Sequence, residues 1–256
     1  MRGSRRASPS RSSCQLDRDS IVYQLAPNIF ACTTGRNCMF LDLRQDRYLS
    51  VPQEQMDTLA PQIHDWQLSA HDYETPGSLS STAAQLADDL VAAGILCPYC
   101  KGSERRPALP PPATRDLASM GISTRSAAAH GHWGGTLSAL ISADIALRVL
   151  PLWRIVGRIS SQVPPVGMGF RTDRLTTAVM LAQCFHEIRP WFPRNYLCLF
   201  DSLALTLFLL RRDIHVRWIF GVREDPFAAH CWVQYGDVVL NEYLDRSRLY
   251  TPVMAV

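Results

Sequence analysis

No stretch of this chain is long and apolar enough to read as a membrane span. The best candidate, Leu137 to Trp153, is interrupted by Asp144, Arg148 and Pro151, and Leu203 to Leu210 is too short to cross a bilayer. The chain also lacks a large charge of one sign. Its formal charge is +3 over 256 residues, with the basic residues scattered, which argues against nucleic acid or a membrane surface as a partner. Met1 to Ser13 has no apolar core, so it does not read as a secretory signal. It is Arg/Ser-rich, with no acid before Asp17, a superficial likeness to a transit peptide. The plainer reading is a disordered tail over 1–19. No internal repeat is visible. No Gly-rich phosphate loop is visible either, so no P-loop-type ATP site is expected.

Eight cysteines are present at irregular spacings. Without a secretory signal they read as reduced thiols, and the expected location is the cytoplasm. Two of them, Cys97-Pro-Tyr-Cys100, match a glutaredoxin-type dithiol. That motif should follow a strand and open a helix, whereas here it follows a helix and enters a Pro-rich stretch, so a redox role is not favoured. His130 and His132 have no second pair of ligands nearby, and no metal site is expected. Cys184 and His186 are two apart on a helix and do not share a face.

The pattern divides the chain in two. Over 20–100, Asn28 to Thr34, Cys38 to Leu43 and Arg47 to Val51 read as strands, the last two joined as a hairpin. Pro52 suits a first helical residue with Glu54 in the first turn, and Pro61 ends or kinks that helix. Ala83 to Ala93 reads as an amphipathic helix burying Ala84, Leu86, Leu90 and Val91, closed by Gly94. These elements suggest a small winged-helix-like module. Residues 101–124, with Pro107 and Pro110 to Pro112, read as a linker. Over 125–256, Leu137, Leu140, Ile141, Ile145, Leu147 and Leu150 space as a buried helix face. A second helix follows over Arg174 to Ile188 and a third from Cys198 to about Leu210. Strands are expected at Val216 to Val222, Ala228 to Tyr235 and Val238 to Leu240. Helices followed by an antiparallel sheet predict an α+β fold.

Cys198 and His230 carry the chemistry. A cysteine at a helix start is favoured as thiolate by the free N–H groups and the helix dipole. A histidine on a strand can take its proton and return it to a leaving amine. Alone, a cysteine in an apolar helix is usually core filler, and only the ordered combination argues otherwise. Along the strand His230, Trp232 and Gln234 share one face, with Cys231, Val233 and Tyr235 on the other. Cys231 is therefore expected to point away from the site, and Trp232 to wall the cleft. The imidazole-orienting group is first Glu242, with Asp245 and Asp237 as alternatives and Asn241 as a weaker one. The oxyanion would take the Cys198 main-chain N–H plus an upstream donor, with Asn195 and Tyr196 as candidates. Acyl transfer or peptide hydrolysis follows.

Four segments resemble the lasso-peptide biosynthesis B protein. They are Cys198 to Leu205, Val216 to Arg223, Pro226 to Val233 and Val239 to Glu242, with a similar C-terminus from Tyr250. The resemblance implies a transglutaminase- or papain-like cysteine protease domain over 125–256 and a catalytic set of Cys198, His230 and Glu242. That family usually has aspartate at the position of Glu242. The N-terminal unit resembles the fused leader-recognition module, similar to the PQQ-biosynthesis peptide chaperone (PqqD-like). The residues carrying that likeness are Met39 to Leu43, Arg47 to Val51 and the helix through Leu90. By this resemblance a precursor leader adds as a strand along Arg47, Tyr48, Leu49 and Ser50 and packs on Leu86 and Leu90. The implied partners are the precursor leader and an asparagine-synthetase-like lasso cyclase. No cofactor is expected on this chain, and any need for ATP belongs to the assembled system.

Overall fold

Alternating side chains and tight turns build the first sheet. A computed structural model describes residues 22–64, 66, 80–100, 108–121, 131–164 and 171–256. Strands β2 (Ile29–Thr34), β3 (Asn37–Asp42) and β4 (Arg47–Pro52) form an antiparallel sheet in the order β2-β3-β4. Gly35 makes the first turn at φ +55°, where a side chain would be strained and a Cβ would meet Glu224 at 3.1 Å. Pro52 pairs with Asn37 as the last residue of β4 and caps helix α1 (Gln53–Leu59) from outside, one position earlier than expected. Pro61 does end that helix, in a 3₁₀ turn at Ala60–Gln62. Helix α2 (Ser81–Ala92) is capped by the Ser80 hydroxyl, which accepts from the Ala83 N–H at 3.2 Å. It stops at Gly94, φ +74°.

The buried face of α2 differs from expectation. Ala83, Ala87 and Leu90 are buried, Leu86 is half-buried and Val91 is exposed. Small residues one turn apart let this helix lie close to its neighbours, so bulk is not what marks its inner face. Short strands β1 (Tyr23–Leu25) and β5 (Leu96–Pro98) pair beside it.

The β2-β3-β4 sheet is covered on both faces. Ile29, Cys38 and Phe40 join Met56, Leu59, Ala87, Leu90 and Ile95 in the N-terminal core, with Leu49 and Val51 packed on it. Cys32, Met39, Leu41 and Leu43 face the other way and belong to the core of the C-terminal half, with Phe30 and Tyr48 packed against it. The sheet therefore lies between two cores, one within the N-terminal half and one that it shares with the C-terminal half. Asn37 Nδ2 also donates to Glu224 across this junction.

The C-terminal half is helical, then sheet. Helices α3 (Trp133–Val149), α4 (Leu152–Ser160), α5 (Leu175–Ile188) and α6 (Cys198–Leu210) precede strands β7 (Arg217–Arg223), β8 (Ala228–Tyr235), β9 (Val238–Val239) and β10 (Thr251–Ala255). Helix α6 is apolar nearly all round and accordingly buried from Phe200 to Leu209 except at Asp201 and Leu207. Each fully buried Leu or Phe in it stabilises by about 1.5–3 kcal/mol. On α3 the buried residues are Thr136, Ala139, Leu140 and Ala143, while Ile141 and Ile145 are 49% and 55% exposed. The expected apolar face is thus rotated, again because small residues allow the close approach to α6.

The sheet is mixed rather than antiparallel, in the order β10-β7-β8-β9-β6. Its edge strand β6 (Arg115–Asp116) runs parallel to β9. It comes from the segment expected to be linker. Around it the Pro111 carbonyl accepts from Gln234 Nε2 at 2.8 Å, and the Arg115 guanidinium pairs with Asp237 at 2.6 Å. Asp116 accepts from the Leu244 N–H at 3.0 Å. Pro111 to Asp116 is therefore docked on the sheet, although its composition is that of a tether. The expected tail over 1–19, most of the polar loop around Glu74 to Ser81, and 101–107 and 122–124 of the expected linker lie outside the described residues. Among the described residues no helix is long and apolar enough to cross a membrane.

Candidate active site

The start of α6 is the most polar point on an otherwise apolar helix. Leu197 supplies no side-chain cap, so the first N–H groups and the positive helix end face outward beside the exposed Cys198. Asp201, one turn on, accepts from the Leu197 N–H at 2.9 Å with Oδ2 and pairs through Oδ1 with Arg189. Arg189 is only 1% exposed. Its guanidinium donates to the carbonyls of Phe192, Arg194 and Asn195 at 3.3, 3.0 and 3.2 Å. One buried cation thus shapes the whole loop that delivers Cys198. Neither Arg189 nor Asp201 stood out in the sequence. The signal was there in an Asp one turn into an apolar helix and an Arg beside a proline.

Strand β8 brings His230 to Cys198. The groups that act on the Cys198 thiol are the side chains of Cys231 and His230 and the Cys231 main chain. These groups, the Cys231 side chain first, hold it down to about 4 against an ordinary value of 9.0, despite partial burial, which opposes. His230 is 7% exposed. Its Nε2 meets Glu242 Oε2 at 3.0 Å, which leaves Nδ1 as the ring nitrogen for the sulfur. The other carboxylate oxygen accepts from the Tyr243 N–H at 3.0 Å, and Arg246 approaches Oε2 at 3.4 Å. Glu242 is thereby fixed as it faces the imidazole. A sulfur, an imidazole and a carboxylate stand in line, as a nucleophile, a proton carrier and an orienting group require.

The other carboxylates named from sequence go elsewhere. Asp237 is taken by Arg115 and by Thr114, which hold its carboxyl down to about 2. Asp245 is exposed in the short helix α7 (Leu244–Ser247). Asn241 is structural: Oδ1 accepts from the Val233 N–H at 2.7 Å and Nδ2 donates to the Ser202 hydroxyl at 2.9 Å, tying β8 to α6.

Trp232 is not an open cleft wall. It is buried on the side of the sheet away from α6, with Ile219, Val239 and Ala255. Its ring lies 6.2 Å from the His230 ring, and the Tyr250 ring lies 5.0 Å from His230. Gly221, the partner of His230 on β7, is required here, because a Cβ would come within 2.8 Å of the Trp232 ring. Cys231 departs from expectation too. The strand alternation holds, since Cys231 sits in the main core and Trp232 in the smaller cluster. But α6 packs on the Cys231 side, where Ser202 Oγ donates to the Cys231 carbonyl at 3.0 Å, so Cys231 as well as His230 acts on the thiol at its first residue.

Upstream, Asn195 and Tyr196 are both exposed beside the helix start. The Asn195 carbonyl is held by Arg189, so the Tyr196 N–H, on the opposite edge of the same trans peptide, points away from that guanidinium. The Tyr196 ring lies 4.4 Å under Arg189.

On β4, Arg47 is bound within its own module, to Asp42 at 3.4 Å and to the Ala93 carbonyl at 3.0 Å. Leu49 packs inward, Ser50 is exposed, Leu86 is half-buried and Leu90 is in the core. Tyr48 packs on the core of the C-terminal half. Its ring meets Phe227, just before β8, at 5.6 Å. Burial first, and then the thiols Cys231 and Cys198 among its neighbours, push its hydroxyl up. Among the described residues β4 pairs only with β3, leaving its outer edge open.

The remaining candidates stay apart from this site. His186 Nε2 is bound to the Leu240 carbonyl at 2.9 Å, and Cys184 is buried. His132 packs edge-on against Phe208 at 6.3 Å, and His130 lies outside the described residues. Cys97, half-buried in β5, accepts from Gln24 at 3.6 Å, and Cys100 is exposed. Both are free thiols. Among the described residues no group of three His, Cys, Asp or Glu side chains is arranged to hold a metal.

Residues 137–255 match the family described as the Transglutaminase-like superfamily. No curated protein and no solved structure matches the chain. The C-terminal part is thus a transglutaminase-like domain, of a superfamily that includes cysteine peptidases and transferases, and Cys198, His230 and Glu242 all lie within it.

Proposed function

We propose that this chain is a thiol leader peptidase of ribosomally made, lasso-type peptides. The observation that carries the reading is the Cys198–His230–Glu242 line at the exposed start of α6. The thiolate would attack the last leader carbonyl, with the oxyanion taken by the Cys198 N–H and the Tyr196 N–H. His230 would hand its proton to the departing core amine, leaving the leader as a thioester that water hydrolyses. The freed amine is what macrolactam formation consumes, and by motif resemblance a lasso cyclase, asparagine-synthetase-like and using ATP, is the partner.

The N-terminal unit would act as a winged-helix-like, PqqD-like recognition module. A leader adding along the open edge of β4 would gain main-chain hydrogen bonds. Tyr48 of that strand packs on Phe227, three residues before His230. A second reading, amide transfer to an amine, is favoured by the superfamily match itself. The two differ in the acyl acceptor, water or amine, and so in product mass.

The test is mass spectrometry of the cognate precursor after co-expression with the chain, with and without the cyclase. Clean loss of the leader with wild type and none with Cys198→Ala is expected. An intact precursor with wild type and cyclase both present, still bound to the chain, would replace the peptidase by a leader-binding chaperone.

A further inference from the structure

Burying a guanidinium costs free energy unless its charge and its donors are met. Arg189 meets both conditions beside the thiol site. It opens the 3₁₀ turn Arg189–Trp191 that follows α5, and it pairs with Asp201 of α6. Its remaining donors run to the connecting loop, at the carbonyls of Phe192, Arg194 and Asn195. Its Cζ lies 4.4 Å from the Tyr196 ring centroid and 5.2 Å from that of Phe200.

The main-chain groups of this loop are sorted by direction. The Leu197 carbonyl accepts from the Asp201 N–H at 2.9 Å, and the Leu197 N–H donates to Asp201 Oδ2 at 2.9 Å. The Arg194 N–H goes to the Phe192 carbonyl at 2.8 Å. The carbonyls of Phe192, Arg194, Asn195 and Leu197 are thus drawn into the fold. The N–H groups of Tyr196 and Cys198 have no partner among the described residues. A carbonyl turned to the thiol would repel a forming oxyanion, whereas an N–H binds it.

We propose that Arg189 is a positioning residue for acyl transfer: by holding the Asn195 carbonyl inward, it reserves the Tyr196 N–H, with the Cys198 N–H, for the oxyanion formed when Cys198 attacks. The link is one peptide plane. The Asn195 carbonyl and the Tyr196 N–H lie on its opposite edges, so a flip of that plane would exchange the donor for an acceptor. The inference rests on acylation of Cys198, which peptide hydrolysis and amide transfer share, and not on a leader as substrate.

The test sets two reagents against each other on one sulfur. The Cys198 thiolate attacks the carbonyl of p-nitrophenyl acetate, forming an S–C bond and an oxyanion. The oxyanion collapses to the acetyl thioester as p-nitrophenolate leaves. Iodoacetamide instead alkylates the sulfur as iodide departs, with no oxyanion. In Arg189→Lys the ammonium keeps a charge for Asp201 but lacks the planar fork that reaches the carbonyls. Its acylation burst should slow at least about tenfold, while alkylation of Cys198 by peptide mass mapping stays within about twofold of wild type. Cys198→Ala gives the background from the other thiols.

Equal slowing of both reactions would reduce Arg189 to a structural residue, and an unchanged burst would overturn the proposal as well. Should Arg189→Lys not fold, Tyr196→Pro decides, because it removes the N–H itself at an exposed position. The same split is expected, and a burst as fast as wild type would refute the oxyanion role. If wild type shows no burst beyond that of Cys198→Ala, acyl chemistry and this inference fall together. A Cys198-dependent burst with an intact precursor removes only the leader reading.

Discussion

Replacing Glu242 separates a catalytic orienter from a structural carboxylate. In the fold Glu242 Oε2 meets His230 Nε2 at 3.0 Å, in a pocket where the histidine side chain is almost wholly covered. A hydrogen bond to a charged group contributes about 1.5–3 kcal/mol. At about 1.4 kcal/mol per tenfold, losing it only as charge builds on the imidazole slows the reaction about 10- to 150-fold. Glu242→Ala should therefore lower kcat/KM for precursor cleavage by that factor, measured by timed mass spectrometry. It also leaves a buried ring nitrogen unpaired, at a cost of about 1–3 kcal/mol in stability. The assay is accordingly run well below the unfolding midpoint, with Cys198 alkylation at pH 9 confirming intact access. Asp245→Asn should cleave like wild type, because Asp245 is exposed. Glu242→Ala within twofold of wild type, or the loss appearing in Asp245→Asn instead, would refute the assignment.

Asp201→Ala leaves the buried Arg189 guanidinium without its counter-charge. It should lower stability by about 3–5 kcal/mol in urea unfolding and disorder the Cys198 approach. Tyr48→Leu should reduce kcat several-fold while leaving leader affinity by calorimetry within about twofold, because its ring packs on Phe227, three residues before His230, rather than on the open edge of β4. Lost affinity with unchanged kcat would return Tyr48 to recognition. Asp237 has its carboxyl depressed to about 2 by Arg115 and Thr114. The pair therefore stabilises the fold above the unfolded carboxyl value and loses that contribution as pH falls toward 2. Both partners are partly solvent-exposed, so a small gap between wild type and Asp237→Asn in urea midpoint at pH 7 should close toward pH 2.

Local chemistry was legible from sequence where it depends on neighbours in the chain. The helix from Cys198 to Leu210 and the strand Ala228 to Tyr235 fall where the apolar pattern and the alternation put them. The Gly94 stop also follows from residue chemistry, whereas the helix starts earlier than expected, capped by Ser80. What escaped was distance-dependent. A small-residue stripe such as Ala139 and Ala143 looks weakly amphipathic, yet it sets the closest helix contact, so Ile141 and Ile145 looked buried and are not. The prolines before Arg115 read as a spacer because pairing to Val238 and Val239 is made 123 residues away in the chain, with no local signature. Cys231 lies on the face that the alternation gives it, in the main core, with Trp232 on the other. Strand alternation assigns faces, but which face the Cys198 helix covers is a tertiary fact.

The junction between the two halves bears on how recognition and chemistry are coupled. A flexible tether raises the local concentration of a bound peptide, and that gain falls as the tether lengthens. Here β3 is buried on both faces, with Phe40 in one core and Leu41 in the other. β4 is paired along its full length to β3, and its Tyr48 packs on Phe227, three residues before His230. A peptide laid on the edge of β4 would thus be held by the same rigid body that holds the thiol. The benefit would then lie in orientation rather than concentration, because a fixed strand presents one peptide bond, not an average of many, to Cys198. The same rigidity sets the cost: a leader whose register slips by one residue would place the wrong bond at the sulfur and reverse every side chain along β4. Cleavage fidelity would therefore be decided at the strand edge as much as at the thiol.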